Sequence, residues 1–335
     1  MIETKLHLPD APALPGLMFR MFDPERDYEA LIELITEANT TDGVDYLPTV
    51  ESLRTDHEHG GEFDPRRDLI LARVDGEVIA GAQTSVRTRE GIGVHYVDGW
   101  VRPSWRRRGL GRALLHWTER RAEEVARVDG RPPERALTSW PDEDQVGATA
   151  LYASEGYAIV RYGFLMLRDL GDPIPDRAMP PGIDIRPVVE SDHRRIWDAD
   201  VEAFRDHWDA AEPTESDFAS WFAAPDIDTT LWRVAWDGDE VAGSVMTFVY
   251  PNENELLGLR RGWLDHVSIR RPWRRRGLAS ALIADALRGL RTAGMTEAAL
   301  GVDAENPTGA LHVYEALGFR RARTGVAYRK SFRID

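Results

Sequence analysis

The sequence predicts an α+β fold made twice over: two tandem domains, each a mixed central β-sheet flanked by helices. Three observations predict it, namely the length, an internal repeat and a mixture of two hydrophobic periods. With 335 residues the chain exceeds the ~100–200 residues of a typical domain. Its 42% hydrophobic and 30% charged content is that of globular protein and excludes a disordered or fibrous chain.

The repeat is long. Residues 101–111 read VRPSWRRRGLG and residues 269–279 read IRRPWRRRGLA. Upstream, DGEVIAG at 75–81 is answered by DGDEVAG at 237–243; downstream, ALYASEGY at 150–157 is answered by LHVYEALGF at 311–319. Gly81 and Tyr152 are 71 residues apart, and so are Gly243 and Tyr314. A unit of about 165 residues is far longer than a solenoid repeat, so it marks two copies of one domain. Between them, Pro173, Pro175, Pro180, Pro181 and Pro187, with Gly171 and Gly182, forbid helix and discourage strand pairing. The expected division is a first domain at 1–175, a linker at 176–182 and a second domain at 183–335.

Within each half the elements follow one order. Phe19–Arg20 and Ile185–Arg186 mark first strands, and 27–38 and 193–204 follow with helical spacing. A hairpin is expected across Asp75-Gly76, joining 69–74 to 78–86, and again around Asp237-Gly238-Asp239, joining 231–236 to 241–250. Strands are expected at 94–101 and 264–269, each followed by an amphipathic helix. In the second half Leu282, Ile283, Ala286, Leu287 and Leu290 share one helical face; in the first, Leu114, Leu115, Thr118, Ala122 and Val125 do. A strand at 298–302 leads to a helix that ends before Gly318.

Composition narrows the function. The net charge is −15, which disfavours general binding of nucleic acid or anionic membrane. Cysteine is absent, which removes disulfides, thiolate nucleophiles and cysteine zinc sites. The nine histidines show no metal-binding spacing, so no metal is expected. No apolar run approaches the ~20 residues that span a bilayer, and the N-terminal residues do not read as a secretory signal. A cytoplasmic protein without membrane or nucleic-acid partners is expected, as monomer or homodimer.

The chemistry gathers at the arginine–glycine block. Arg106, Arg107, Arg108, Gly109, Leu110, Gly111 and Arg112 follow a strand and open a helix. So do Arg274, Arg275, Arg276, Gly277, Leu278, Ala279 and Ser280. Glycine permits close backbone approach, the first helical turn offers unpaired N–H groups and a partial positive charge, and arginine adds charge-assisted hydrogen bonds. The combination is a pyrophosphate cradle. A lone copy would equally suit a basic flank on a surface helix. The dinucleotide fingerprint fails, because Leu114 stands where its third glycine would be.

This strand–VxPxxRxxGxG–helix block resembles the acetyl-CoA signature of the GCN5-related N-acetyltransferases, the GNAT superfamily. Val101, Pro103, Arg106, Gly109 and Gly111 match it in the first half; Ile269, Arg274, Gly277 and Ala279 match in the second. A downstream block matches too: Asn306, Gly309-Ala310-Leu311, Tyr314 and Gly318-Phe319. In the first half only Gly147-Ala148, Tyr152 and Gly156-Tyr157 match, with Asp144 or Gln145 near the asparagine position. The resemblance covers nearly the whole chain, twice. It implies acetyl-CoA as co-substrate. The pyrophosphate would lie on the signature backbone, and the pantetheine would run as an added strand along Val267, Ser268 and Ile269, or along Gly99, Trp100 and Val101. The tyrosine of the second block would be general acid to the departing thiolate.

Acetyl transfer to an amine needs a proton acceptor, a donor to the carbonyl oxygen and a proton for the leaving sulfur, but no covalent nucleophile. Tyr314 is the expected acid, with Tyr152 as its counterpart. The base is expected at Asp265 or His266. Adjacent strand residues face opposite sides, so one of them faces the acetyl group, and His266 has the pKa suited to neutrality. A base acting through ordered water remains the other reading. Asp98 aligns with His266 in the first copy. The second copy is expected to be the active one, since its downstream block is the more complete. The acceptor is expected to be a small-molecule amine, with the acidic balance suiting a cationic one. The other readings are an acyl-CoA sensor with degenerate sites, and transfer to a protein or peptide amine.

Overall fold

Strands form where apolar and β-branched residues run together or alternate, and helices where apolar residues recur three and four apart. The computed structural model describes residues 6–59, 62–89, 91–208, 210, 213–223, 227–306 and 309–334. The chain divides into two compact units. The first comprises Met1–Val160, Thr214–Ala223 and Val326–Asp335; the second comprises Arg161–Pro213 and Ala224–Gly325.

In the first unit β1 (Met18–Met21), α1 (Tyr28–Asp42), α2 (Val50–His59) and α3 (Pro65–Asp68) lead to β2 (Leu69–Val74), β3 (Glu77–Arg89) and β4 (Ile92–Val101). Then come α4 (Leu110–Ala126), β5 (Glu134–Ser139) and α5 (Val146–Ser154). The chain continues as β6 (Ala158–Asp169), β7 (Ile183–Arg186) and α6 (His193–Phe204), and α7 (Glu215–Ala223) lies within the first unit. The second unit then runs β8 (Arg233–Asp237), β9 (Glu240–Phe248), α8 (Pro251–Leu257), β10 (Arg261–Ile269), α9 (Leu278–Thr292), β11 (Glu297–Asp303) and α10 (Ala310–Ala316); last comes β12 (Arg320–Arg333), whose residues from Val326 onward belong to the first unit.

The first unit's sheet has the order β1-β2-β3-β4-β5-β12, antiparallel except for β4 beside β5. The second unit's sheet is β7-β8-β9-β10-β11-β6, antiparallel except for β10 beside β11. Each sheet is closed by a strand far away in sequence. Residues 328–333 pair with β5, and residues 163–169 pair with β11.

Local expectations map closely onto these elements. Asp75 and Gly76 both take left-handed conformations, at φ 51° and 90°, which is the turn that matches the twist of the β2–β3 hairpin. In the second hairpin β8 begins at Arg233 rather than at 231. Thr229–Leu231 forms a short 3-10 turn, and the Asp228 side chain accepts the Thr230 N–H. Helix α1 runs past Ala38 to Asp42 and stops at Gly43, left-handed at φ 68°. Residues 170–182 hold neither helix nor strand. All five residues expected on the inner face of α9 are buried in the second unit's core, with Ala298, Leu300 and Phe319. Burial of each large side chain contributes about 1.5–3 kcal/mol.

One feature of both sheets positions the sites. The parallel pairing of β4 with β5 covers only Gly93–Tyr96, and that of β10 with β11 only Arg261–Trp263. Beyond those points the strands part, leaving one edge of each C-terminal half-strand open. On its other edge β4 pairs with β3 without interruption, whereas β10 shifts register against β9 between Leu264 and His266, a bulge at Asp265.

Candidate active sites

Each open strand edge leads into a loop of unusual backbone. Arg107 and Arg275, at equivalent places, are left-handed at φ 64° and 59°; Gly109 and Gly277 follow at φ 89° and 82°. A non-glycine residue held there costs roughly 1–2 kcal/mol, so the surroundings must impose it. They do so through the arginine that precedes it. Arg106 donates Nε to the Val101 carbonyl (3.1 Å) and grips Asp42 of α1 with both terminal nitrogens, at 2.5 and 3.0 Å. Arg274 donates Nε to the Ile269 carbonyl (2.8 Å), binds Asp206 at 2.5 Å and reaches the Ala203 carbonyl at 3.1 Å. Asp206 also pairs with Arg271, and Arg271 and Arg274 together hold its carboxyl well below the usual carboxylate range. Arg106 and Arg274 are thus tied to the protein, and what they supply is the shape of the loop.

The loop ends on a helix that no described side chain caps. Gly109 precedes α4 and Gly277 precedes α9, so the first-turn N–H groups have no intrahelical partner. A Cβ on Gly277 would meet nothing within 4 Å, and one on Gly109 would meet only Pro12, at 3.4 Å. Arg107, Arg108, Arg275 and Arg276 are exposed beside these turns. Leu110 and Leu278 are buried and anchor the helices, while Arg112 is drawn to Glu155 at 2.7 Å. The open helical turns, the left-handed loop and the unpaired strand edge fit a CoA-type ligand: extended along the strand, anionic at the helix.

On β10, Val267 and Ile269 pack on the core, and Ser268 is buried against the Ser244 hydroxyl at 3.1 Å. Asp265, at the bulge, accepts from the Tyr250 hydroxyl at 2.7 Å; surrounding protein pushes its carboxyl up and that hydrogen bond partly offsets the push. His266 turns the other way, to α6, where its Nδ1 meets Asp200 at 2.8 Å. Burial pulls the His266 pKa down, but the Asp200 carboxylate outweighs it, and the net direction is up. The Phe204 ring stands 5.0 Å from the imidazole, with His207 beyond it. Asp200 is 3% exposed. Sequence reasoning missed it, although an acid on the apolar face of α6, among Ile196, Trp197, Ala199 and Ala203, is the signal that would have found it.

Tyr314, on α10, is buried against Phe319, and burial pushes its phenol up to about 12. Among the described residues nothing accepts its proton. Tyr152, its counterpart on α5, differs: its hydroxyl donates to the Val97 carbonyl at 3.1 Å, where β4 leaves β5. Asn306 sits in the turn after β11, its N–H on the Asp303 carbonyl and its own carbonyl on the Gly309 N–H.

The first unit encloses a cavity of about 790 Å³ that brings together Gly99, Trp100, Val101, Arg106, Arg107, Leu110, Gly111 and Tyr152. Asp98 lines it as well. Among the described residues no charged partner attends that carboxyl, and burial pushes it up to about 6. The helices explain the contrast with His266. Arg106 reaches the Ala38 carbonyl and Arg274 the Ala203 carbonyl, so these alanines correspond. Three residues earlier stand Ile35 in α1 and Asp200 in α6. The carboxylate is on the strand in one unit and on the helix in the other.

Open strand edges beside uncapped, arginine-shaped helix starts, present twice, are the sites of a tandem acyl-transfer fold. The acetyltransferase (GNAT) family matches residues 28–157 and again 193–319. A mycothiol acetyltransferase of Geodermatophilus obscurus is 31% identical over 305 residues, covering 90% of this chain and 94% of its own. A GCN5-related N-acetyltransferase from Sphaerobacter thermophilus superposes with a TM-score of 0.73 at 27% identity, over 96% of this chain and 97% of that one. A tandem GNAT protein from the clavulanic acid biosynthesis pathway shares the fold, with a TM-score of 0.66 at 20% identity over 95% and 100%. The chain belongs to the GNAT acetyltransferase family and is an acyltransferase with two such domains in tandem. Among individual proteins, its likeness is to the mycothiol acetyltransferases. No helix of the described residues is long and apolar enough to cross a membrane.

Proposed function

We propose that the protein is a cytoplasmic N-acetyltransferase that passes an acetyl group from acetyl-CoA directly to the amine of a small molecule, with turnover in the second unit. The observation that carries this reading is Tyr314, a buried, protonated phenol whose proton no described residue accepts, set in the same unit as the His266–Asp200 pair.

Acetyl-CoA supplies an activated thioester. The N–H groups of Gly277 to Ser280, with Arg275 and Arg276, would hold its pyrophosphate, and the open edge of β10 at Val267–Ile269 its extended arm. His266 takes the proton of the incoming amine on Nε2, while Asp200 holds Nδ1 and stabilises the imidazolium. Tyr314 gives its proton to the departing sulfur as the new C–N bond replaces the C–S bond. In the first unit the Tyr152 proton is committed to Val97, which supports ligand binding there without turnover.

The likeness to the mycothiol acetyltransferases supports an acceptor of the mycothiol class. The test is CoA-thiol release by the purified chain with acetyl-CoA and an amine panel that includes deacetylated mycothiol. Release with one amine, lost in Tyr314→Phe while CoA binding persists, supports the reading. CoA binding with no transfer to any amine would favour a sensor instead.

A further inference from the structure

The first unit carries a chain of charges along α4. Arg112 is the third residue of that helix, in its open first turn, and its Nε donates to Glu155 Oε1 at 2.7 Å, just beyond α5. The other oxygen of Glu155 lies 2.9 Å from His116 Nε2, and the remaining nitrogen of that imidazole, Nδ1, lies 3.1 Å from Asp10. Arg120 donates to Asp10 as well, at 3.0 Å. Asp10 is held in place by its neighbours: Leu8 is buried with Leu110 and Leu114, and Pro12 stands against Gly109. Glu119, the nearest acid along α4, is engaged by the Tyr157 hydroxyl and the Lys330 ammonium, both at 2.9 Å. A neutral imidazole has one N–H and one lone pair. With a carboxylate oxygen at each nitrogen, only the imidazolium satisfies both. Burial pulls the His116 pKa down, but its hydrogen bonds to Glu155 and Asp10 outweigh that, and the net direction is up. Glu155 therefore serves two cations, His116 and Arg112. Counted from Gly277 and Tyr314, the second unit has Ser280, Ala284 and Leu317 at the places of Arg112, His116 and Glu155, and none of these is charged.

We propose that phosphate binding in the first unit is linked to a proton on His116, because the ligand and Glu155 compete for Arg112. With His116 charged, Glu155 stays paired when Arg112 turns to the ligand. With His116 neutral, Glu155 depends on Arg112 and keeps it. The inference rests on the CoA reading of the cradle. Its sign follows from linkage. Once Arg112 has left, Glu155 acts on His116 alone, so the loaded unit holds the proton more tightly than the empty one. Affinity at the first site is therefore higher below the His116 pKa and falls as pH rises through it. The second site, without these charges, has no such dependence.

The test is calorimetric titration of CoA into the full chain between about pH 6 and 9, with the first site assigned as the one lost in Gly109→Val. In wild type the first site is expected to weaken about threefold relative to the second across that range, the scale of one partly exposed ion pair. A phosphate monoester also titrates near pH ~6, and the second site reports that contribution. His116→Gln should hold the first site at its weaker level at every pH. Glu155→Gln, which frees Arg112, should hold it at the tighter level. The same fall in His116→Gln as in wild type would overturn the proposal. So would a wild-type first site that follows the second at every pH, or a wild-type chain with no first site. CoA bound at neither site would remove the reading of the cradle itself, and the inference with it.

Discussion

The Nδ1 of His266 lies 2.8 Å from a carboxylate oxygen of Asp200, a buried acid on the inner face of α6. The pair fixes both the tautomer and the pKa of the imidazole. A base works only when unprotonated, so kcat/KM should rise with pH through the raised His266 pKa. Asp200→Asn removes the charge that holds this pKa up. The acid limb of the profile should therefore move to lower pH, and the plateau should fall about tenfold or more as the base weakens. Asp200→Glu should restore part of both. An unmoved acid limb would show that Asp200 is only a packing residue.

The repeat, the two hairpins, the apolar face of α9 and the arginine–glycine loop were legible because each is a local pattern. Asp75-Gly76 demands left-handed dihedrals that a hairpin turn uses, and five apolar residues at helical spacing can only be buried together. The strands that close the sheets were not legible. Residues 163–169 beside β11 and 328–333 beside β5 pair across long sequence separations, and no short-range signal encodes such a partner. The same limit hid the side-chain partners of the site. Arg106 and Arg274 read as phosphate ligands until their bonds to Asp42 and Asp206 are seen, and His266 had no visible partner until α6 brought Asp200 to it.

Asp98 should make the protein less stable as pH rises. Its carboxyl is pushed from an ordinary 3.8 to about 6 in the folded chain, so the native state holds the proton more tightly than the unfolded one. The resulting stability is complete below the unfolded pKa and is lost as pH climbs through about 6. Asparagine mimics the protonated form. Asp98→Asn should thus be more stable than wild type at pH 7 by on the order of 2 kcal/mol, with no difference below pH ~4. Melting temperatures across that range are the check, and a constant offset at every pH would contradict the assignment.

The two tyrosines should respond oppositely to loss of their hydroxyls. Tyr314→Phe should lower kcat by about a hundredfold, the scale of general-acid catalysis, with CoA affinity unchanged. Because the phenol is pushed up to about 12, its ionisation should not shape the alkaline limb of the wild-type profile at lower pH. Tyr152→Phe removes the hydrogen bond to Val97 and should cost about 0.5–1.5 kcal/mol of stability with turnover unchanged. Steady-state kinetics with denaturant titration of both variants separates these outcomes. A large kcat loss in Tyr152→Phe would move turnover into the first unit.

The left-handed glycines make the two cradles separable. Gly277 sits at φ 82° with open space where a Cβ would stand, so Gly277→Val should strain the backbone by roughly 1–2 kcal/mol. Its side chain would stand over the uncapped first turn of α9. Gly109→Val, at φ 89°, does the same before α4, where a Cβ meets Pro12 at 3.4 Å. Calorimetric titration of acetyl-CoA into the wild-type chain should give two sites, and each variant should retain one. Gly277→Val should also abolish turnover, whereas Gly109→Val should leave it. If Gly109→Val removed activity and Gly277→Val did not, the first unit would be the catalytic one. The unengaged Tyr314 proton would then be a packing feature of α10.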